Sequence, residues 1–155
     1  MLGRSDSMNF VTSCHQVEST VLSVGVSKVW DALRTFAFEK LLSSHVKSVK
    51  FTSGSPNEVG SVFDIEYAEG SVWTNRIVEI SDTRRTIAWE LIGAVPEITF
   101  SSMLTTVKLH RVTDEDSTFV SWESDYSNDV NAHVVQDGKF KKLDYFKDLK
   151  KVLTK

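Results

Sequence analysis

The stretch Asp129–Leu153, DVNAHVVQDGKFKKLDYFKDLKKVL, decides how the rest of this chain is read. At about 100° per residue, Ala132, Val135, Leu143, Phe146, Leu149 and Leu153 fall on one side of a helical wheel. Asp137, Lys141, Asp144, Asp148 and Lys151 fall on the other. The pattern predicts an amphipathic helix of about 25 residues, near 37 Å long. Ser127-Asn128-Asp129 offers capping side chains at its start. Such a helix needs an apolar surface of similar length to cover. Gly138 sits inside it at a cost of about 1 kcal/mol relative to Ala. It is either a tolerated weak point or clearance for something lying against the helix.

Working back from the helix, the covering surface is a run of strands. Thr118–Tyr126 puts Val120, Trp122, Ser124 and Tyr126 on one side. Thr113–Ser117 is an acidic turn. Glu97–Arg111 reads as one long strand with a bulge near Thr106-Val107, where the apolar phase shifts. Arg85–Leu91, Val72–Ile80, Ser61–Tyr67 and Val46–Thr52 alternate in the same way. Turns at Gly93–Pro96, Ser81–Arg84, Ala68–Gly70 and Ser53–Pro56 separate them. Upstream lie two short helices, VSKVWDALRTF capped by Ser27 and AFEKLLSSH, kinked apart near Phe36-Ala37. His15–Val24 is a first strand. Successive hairpins predict an antiparallel meander with one face buried under the tail helix. The expected class is α+β, with about seven strands around a long C-terminal helix.

Composition narrows the function. The 155 residues are 41% hydrophobic and 25% charged, with net charge −3. That fits one domain with a real core. No basic stripe points to nucleic acid. No apolar run approaches the roughly 18 residues of a membrane span. The single Cys14 forms no internal disulfide, so a cytoplasmic location is expected. Residues 1–13 lack the apolar core of a signal peptide and read as a disordered leader to a domain spanning 14–155. Met8 is an alternative start.

The order of elements, with its local signatures, resembles the helix-grip superfamily. That group includes the START lipid-transfer domains, the birch-pollen-allergen-like proteins and the polyketide cyclase/dehydrase-like (SRPBCC) proteins. The matching residues are Val29-Trp30-Asp31-Ala32-Leu33, Val46-Lys47-Ser48-Val49, Gly60-Ser61-Val62, Arg76–Asp82, Pro96 and Val120-Ser121-Trp122. Together they span about residues 15 to 153, and the cyclase-like subgroup is closest in texture. The resemblance implies a curved antiparallel sheet gripping the helix, with a cavity between. That subgroup often carries an Arg and a Glu on consecutive strands where Phe63 and Asn75 stand here. The abscisic-acid receptors of the superfamily have a long gating loop and a His-Arg-Leu latch. The short turns Ala68–Gly70 and Gly93–Pro96 match neither.

Strand alternation points Phe63, Ile65, Tyr67, Trp73, Asn75, Trp89, Phe100, Ser102, Trp122, Ser124 and Tyr126 inward. Val135 and Lys139 are added from the helix; Lys139 either snorkels to solvent or serves as a cation for a ligand carboxylate or phosphate. Apolar walls with a few polar points are the usual makeup of a small-molecule site. A filled core is the alternative for any single tryptophan. The polar members favour a cavity, since an unpaired buried polar group costs about 1–3 kcal/mol. His15, His45, His110 and His133 are scattered, so no metal ligand set and no cofactor is expected. No catalytic triad, P-loop or dinucleotide fingerprint is present. Three functions fit these residues. The first is a non-enzymatic carrier of a hydrophobic small molecule such as a lipid, sterol or polyketide-like compound. The second is a cyclase-type enzyme using Tyr67, Tyr126 or His133 as acid or base. The third is a module binding a partner through its surface.

Overall fold

The computed structural model describes residues 13–154; the expected leader, apart from Ser13, lies outside the described residues. β1 (His15–Leu22) is followed by α1 (Val26–Leu33) and α2 (Phe38–Leu41). Six strands then run in sequence: β2 (Val46–Ser53), β3 (Val62–Tyr67), β4 (Val72–Ser81), β5 (Thr86–Val95), β6 (Met103–Val112) and β7 (Ser117–Tyr126). α3 (Ala132–Leu153) closes the fold. The seven strands form one sheet in the order β1-β7-β6-β5-β4-β3-β2. Every pairing is antiparallel. β2 to β7 are the expected meander, and β1 returns to pair with β7. This is the helix-grip fold.

Cross-strand partners share a face of the sheet, and the register therefore defines the concave wall. One row reads Ile77, Trp89, Thr105, Ser124 and Gln16 across β4, β5, β6, β7 and β1. Its neighbours include Ile65–Trp73, Phe63–Asn75–Leu91 and Val107–Trp122–Glu18. Register shifts occur in the β2–β3 and β4–β5 ladders. None interrupts β6, so the bulge expected at Thr106-Val107 is absent. Residues 97–102 are a loop rather than the start of that strand. Phe100 is apolar and buried in the loop, which produced the false change of phase.

Two helix starts differ from expectation. α1 is preceded by extended Gly25, which makes no side-chain cap, and Ser27 lies within the helix. α3 begins three residues later than expected. Asn131 caps it, its side chain accepting from the Val134 N–H at 2.9 Å. Such a cap contributes about 1 kcal/mol. Ser127 and Asp129 are used elsewhere. Both accept from the Ser101 N–H at 3.0 Å, and the Ser101 hydroxyl donates to Asp129 at 2.5 Å. These bonds pin the 97–102 loop to the start of α3. They also hold the Asp129 carboxyl down at about 2, the Ser101 hydroxyl contributing most.

The core is divided. The larger cluster joins α1, α2, the sheet and the C-terminal half of α3, through Leu33, Phe36, Phe63, Val107, Phe146 and Leu149 among others. Phe36 sits at the α1–α2 kink with φ 56°, fully buried against Phe38, Phe51, Phe63 and Trp89. Packing on four rings holds a bulky residue in a backbone region it otherwise avoids. A smaller cluster, Leu91, Phe100, Tyr126 and Val130, lies at the other end of the sheet. The two clusters do not merge.

Candidate functional site

Between the two clusters, sheet and α3 enclose a cavity of about 290 Å³. Its floor is Trp89 against Trp122, ring centroids 6.1 Å apart and nearly perpendicular. Tyr145 of α3 lies 5.3 Å from Trp122. One wall is Tyr67 edge-on to Trp73 at 5.6 Å. Trp73 also packs against the smaller cluster, where Leu91, Ile98, Phe100 and Met103 complete the lining. Trp89 and Trp122 touch each other and Trp73 touches Tyr67, and the space between them is not filled. Offset and edge-to-face pairs of this kind hold their own geometry, so the walls stay apart.

Nine of the sequence-predicted site residues line this cavity: Ile65, Tyr67, Trp73, Asn75, Trp89, Phe100, Trp122, Ser124 and Tyr126. Four do not. Phe63 is fully buried one layer deeper, stacked on Phe51. Ser102 is exposed, because residues 97–102 are loop and the strand begins after it. Val135 packs beside the smaller cluster instead of lining the space. Lys139 is exposed on the far side of the helix.

Val135 and Lys139 depart from expectation for one reason: the inward face of α3 is rotated away from its most apolar stripe. Leu143 is 37% exposed and Phe140 56% exposed, whereas Lys142 is only 3% exposed. The inward line of α3 runs from half-buried Gly138 to the buried Lys142, Tyr145, Phe146, Leu149 and Leu153. Those spacings of four, three, one, three and four are legible in the sequence once Lys142 is allowed inside. Apolar-only scoring hid it. Thr105 was missed with it, since it follows the misread loop.

Asn75, Thr105, Ser124 and Lys142 are buried polar residues in this apolar room, and His133, Asp137 and Lys141 border it. The Ser124 hydroxyl is buried with no hydrogen-bond partner. It lies close enough to influence Tyr126, though not in hydrogen-bonding geometry. Asn75 is buried, its amide donating to the Trp73 carbonyl at 3.2 Å. Lys142 Nζ donates to Gln16 Oε1 of β1, and the Gln16 amide in turn donates to Glu18 at 2.7 Å. Among the described residues Lys142 makes no ion pair. Burial pulls its ammonium down to about 8, against the attraction of the Glu18 carboxylate.

Gly138 is set by what lies against it. A Cβ at that position would lie 2.6 Å from Tyr126 Oη, 3.6 Å from Lys142 Nζ and 3.9 Å from Gln16 Oε1. The glycine is therefore clearance, and Tyr126 is what needs it. Burial raises the phenols of Tyr67, Tyr126 and Tyr145 above their ordinary value. They are hydrogen-bonding groups near neutral pH, not bases.

The C-terminal half of α3 is locked to the α2–β2 connection. His45 meets Asp144 at 3.0 Å, and the Ser44 N–H donates to Asp148 at 3.1 Å. The N-terminal half, with His133, Val134 and Asp137, borders the cavity. Outside it, Cys14 contacts Asn128 at 3.4 Å. His15, Glu123 and Asp125 meet at the β1–β7 edge, a cluster that linear spacing could not show. His15 spends each ring nitrogen on a different carboxylate, and Glu123 also pairs with Lys108 at 3.2 Å.

No family model and no curated protein matches this chain. Solved structures do. A protein from Nitrosospira multiformis superposes over 90% of this chain and 95% of its own, with TM-score 0.79 and 20% identity. XoxI from Bacillus cereus covers 90% and 95%, with TM-score 0.75 and 17% identity. Ginseng major latex-like protein 151 from Panax ginseng covers 90% and 96%, with TM-score 0.72 and 15% identity. These likenesses establish the fold. Among the described residues no helix is long and apolar enough to cross a membrane.

Proposed function

We propose that this protein binds a compact hydrophobic small molecule between its sheet and α3, and carries or sequesters it without transforming it. The observation that supports this is the gap between the two core clusters, lined by aromatic rings and holding a buried, unpartnered Ser124 hydroxyl. A chain selected only for stability gains by closing such a gap. Each lost methylene of packing costs about 1 kcal/mol, and an unpaired hydroxyl adds to that. A guest that fills the space and accepts or donates at Ser124 relieves both.

The volume favours a small guest. Sites for drug-sized ligands span about 300–1,000 Å³, and this cavity of about 290 Å³ is at the bottom of that range. A one- or two-ring compound or a short acyl chain suits it better than a sterol. The chain's texture is nearest the polyketide cyclase-like subgroup, but burial keeps Tyr67 and Tyr126 protonated, which leaves His133 at the cavity border as the one remaining candidate base of that reading. Residues 14–155 act in this reading as one ligand-binding unit. Native mass spectrometry of protein purified without denaturation tests it. A bound small molecule lost on Ser124→Leu supports the carrier reading. A clean apo mass together with no binding from a panel of aromatic and short acyl compounds contradicts it.

A further inference from the structure

Resting on the carrier reading, we infer that the guest is an organic acid whose carboxylate is received by Lys142, with Tyr126 as a second donor. The inference comes from where the polar atoms converge. Tyr126 Oη, Lys142 Nζ and Gln16 Oε1 surround the point that a Gly138 side chain would occupy. Two of the three are donors. The third, Gln16, already orients the ammonium from behind and is held by Glu18.

Lys142 is the unusual member. A buried lysine ordinarily has a carboxylate against it, because a buried charge without a partner is costly. Here the nearest acidic group in the relay, Glu18, stands one side chain away, behind Gln16. One ammonium donor is satisfied by a neutral amide. An ammonium has three donors, and the cavity in front of it is lined by the Tyr126 phenol, by aromatic walls and by Asp137 and Lys141, whose charges are spent on each other at 3.1 Å. Burial already weakens its hold on the proton. An incoming carboxylate supplies the missing partner, and charge-assisted hydrogen bonds of this kind are the strong ones. The rest of such a guest, a ring or short chain, extends towards Trp89, Trp122 and Trp73. A neutral guest of the same shape leaves Lys142 as it was and forgoes that gain.

The test uses two matched pairs of probes on the full chain by isothermal titration calorimetry near neutral pH: naphthoate with naphthamide, and octanoate with octanamide. Each pair has nearly the same shape and differs in charge. The expected result is that an acid binds at least about tenfold tighter than its amide. Lys142→Met should remove that preference, bringing the acid to within about threefold of its own amide in the same variant. If Lys142→Met fails to fold, the wild-type ratio decides alone, and Gln16→Leu, which frees the ammonium, should keep the acid preference. Acid and amide binding equally to wild type overturns the assignment to acids and leaves the carrier reading standing. Failure of all four probes to bind overturns both.

Discussion

At the scale of single residues, Lys142 governs how stability depends on pH. Its ammonium ionises at about 8 in the folded chain against 10.5 for a free lysine. Between those values the unfolded chain binds more protons than the folded one, so stability rises with pH across that window. The gain is lost as pH falls through about 8. Its ceiling is about 3 kcal/mol. Above about pH 10 the buried tyrosines oppose it, because their phenols are raised by burial and the unfolded chain ionises first. Urea unfolding of the apoprotein should therefore show stability increasing from pH 7.5 towards 10. Lys142→Met should flatten that rise and be the more stable protein near neutral pH. An unchanged slope in the variant would mean that Lys142 is not desolvated. None of this was legible in an amphipathic wheel, which sorts lysines outward by type. Tyr126 and Ser124, by contrast, were placed correctly by simple alternation on β7.

At the scale of elements, the approach of α3 to β7 is set by Gly138. Replacing a helix-interior glycine with alanine gains about 1 kcal/mol in propensity. Here the new methyl would meet Tyr126 Oη at 2.6 Å, so the phenol must move first. Gly138→Ala should realise only part of that gain in the wild-type background. In a Tyr126→Phe background, where the hydroxyl is gone, the full gain of about 1 kcal/mol should return. Chemical denaturation of the four proteins in this cycle measures the difference; additivity would show that the helix does not rest on Tyr126. The elements themselves were largely readable. Hairpin turns and period-two alternation carry β2 to β7, and the long helix announces itself. The 97–102 loop was not, because its Phe100 is buried by tertiary packing and mimics a strand residue. The α3 start was misread for a related reason: Ser127 and Asp129 have capping chemistry but spend it on Ser101. Local sequence cannot say which of two nearby segments such a side chain will bind.

At the scale of the whole molecule, the seven-stranded sheet and α3 leave a gap between them. The larger cluster stabilises the end of the molecule containing α1, α2 and the C-terminal half of α3. The smaller one holds the far end of the sheet. This division lets the cavity exist without forfeiting the core. The family resemblance in the sequence anticipated a cavity, but its polar equipment depended on side chains brought together from β1, β7 and α3. The tryptophans offer the most direct test, since Trp73, Trp89 and Trp122 line the space while Trp30 donates to Asp82 at 3.0 Å outside it. The four indole N–H resonances, followed by heteronuclear NMR during titration with naphthoate and naphthamide, should divide accordingly. The account predicts that Trp73, Trp89 and Trp122 shift together and saturably while Trp30 stays still. Shifts of equal size at Trp30, or no shift at any of the four, would contradict it.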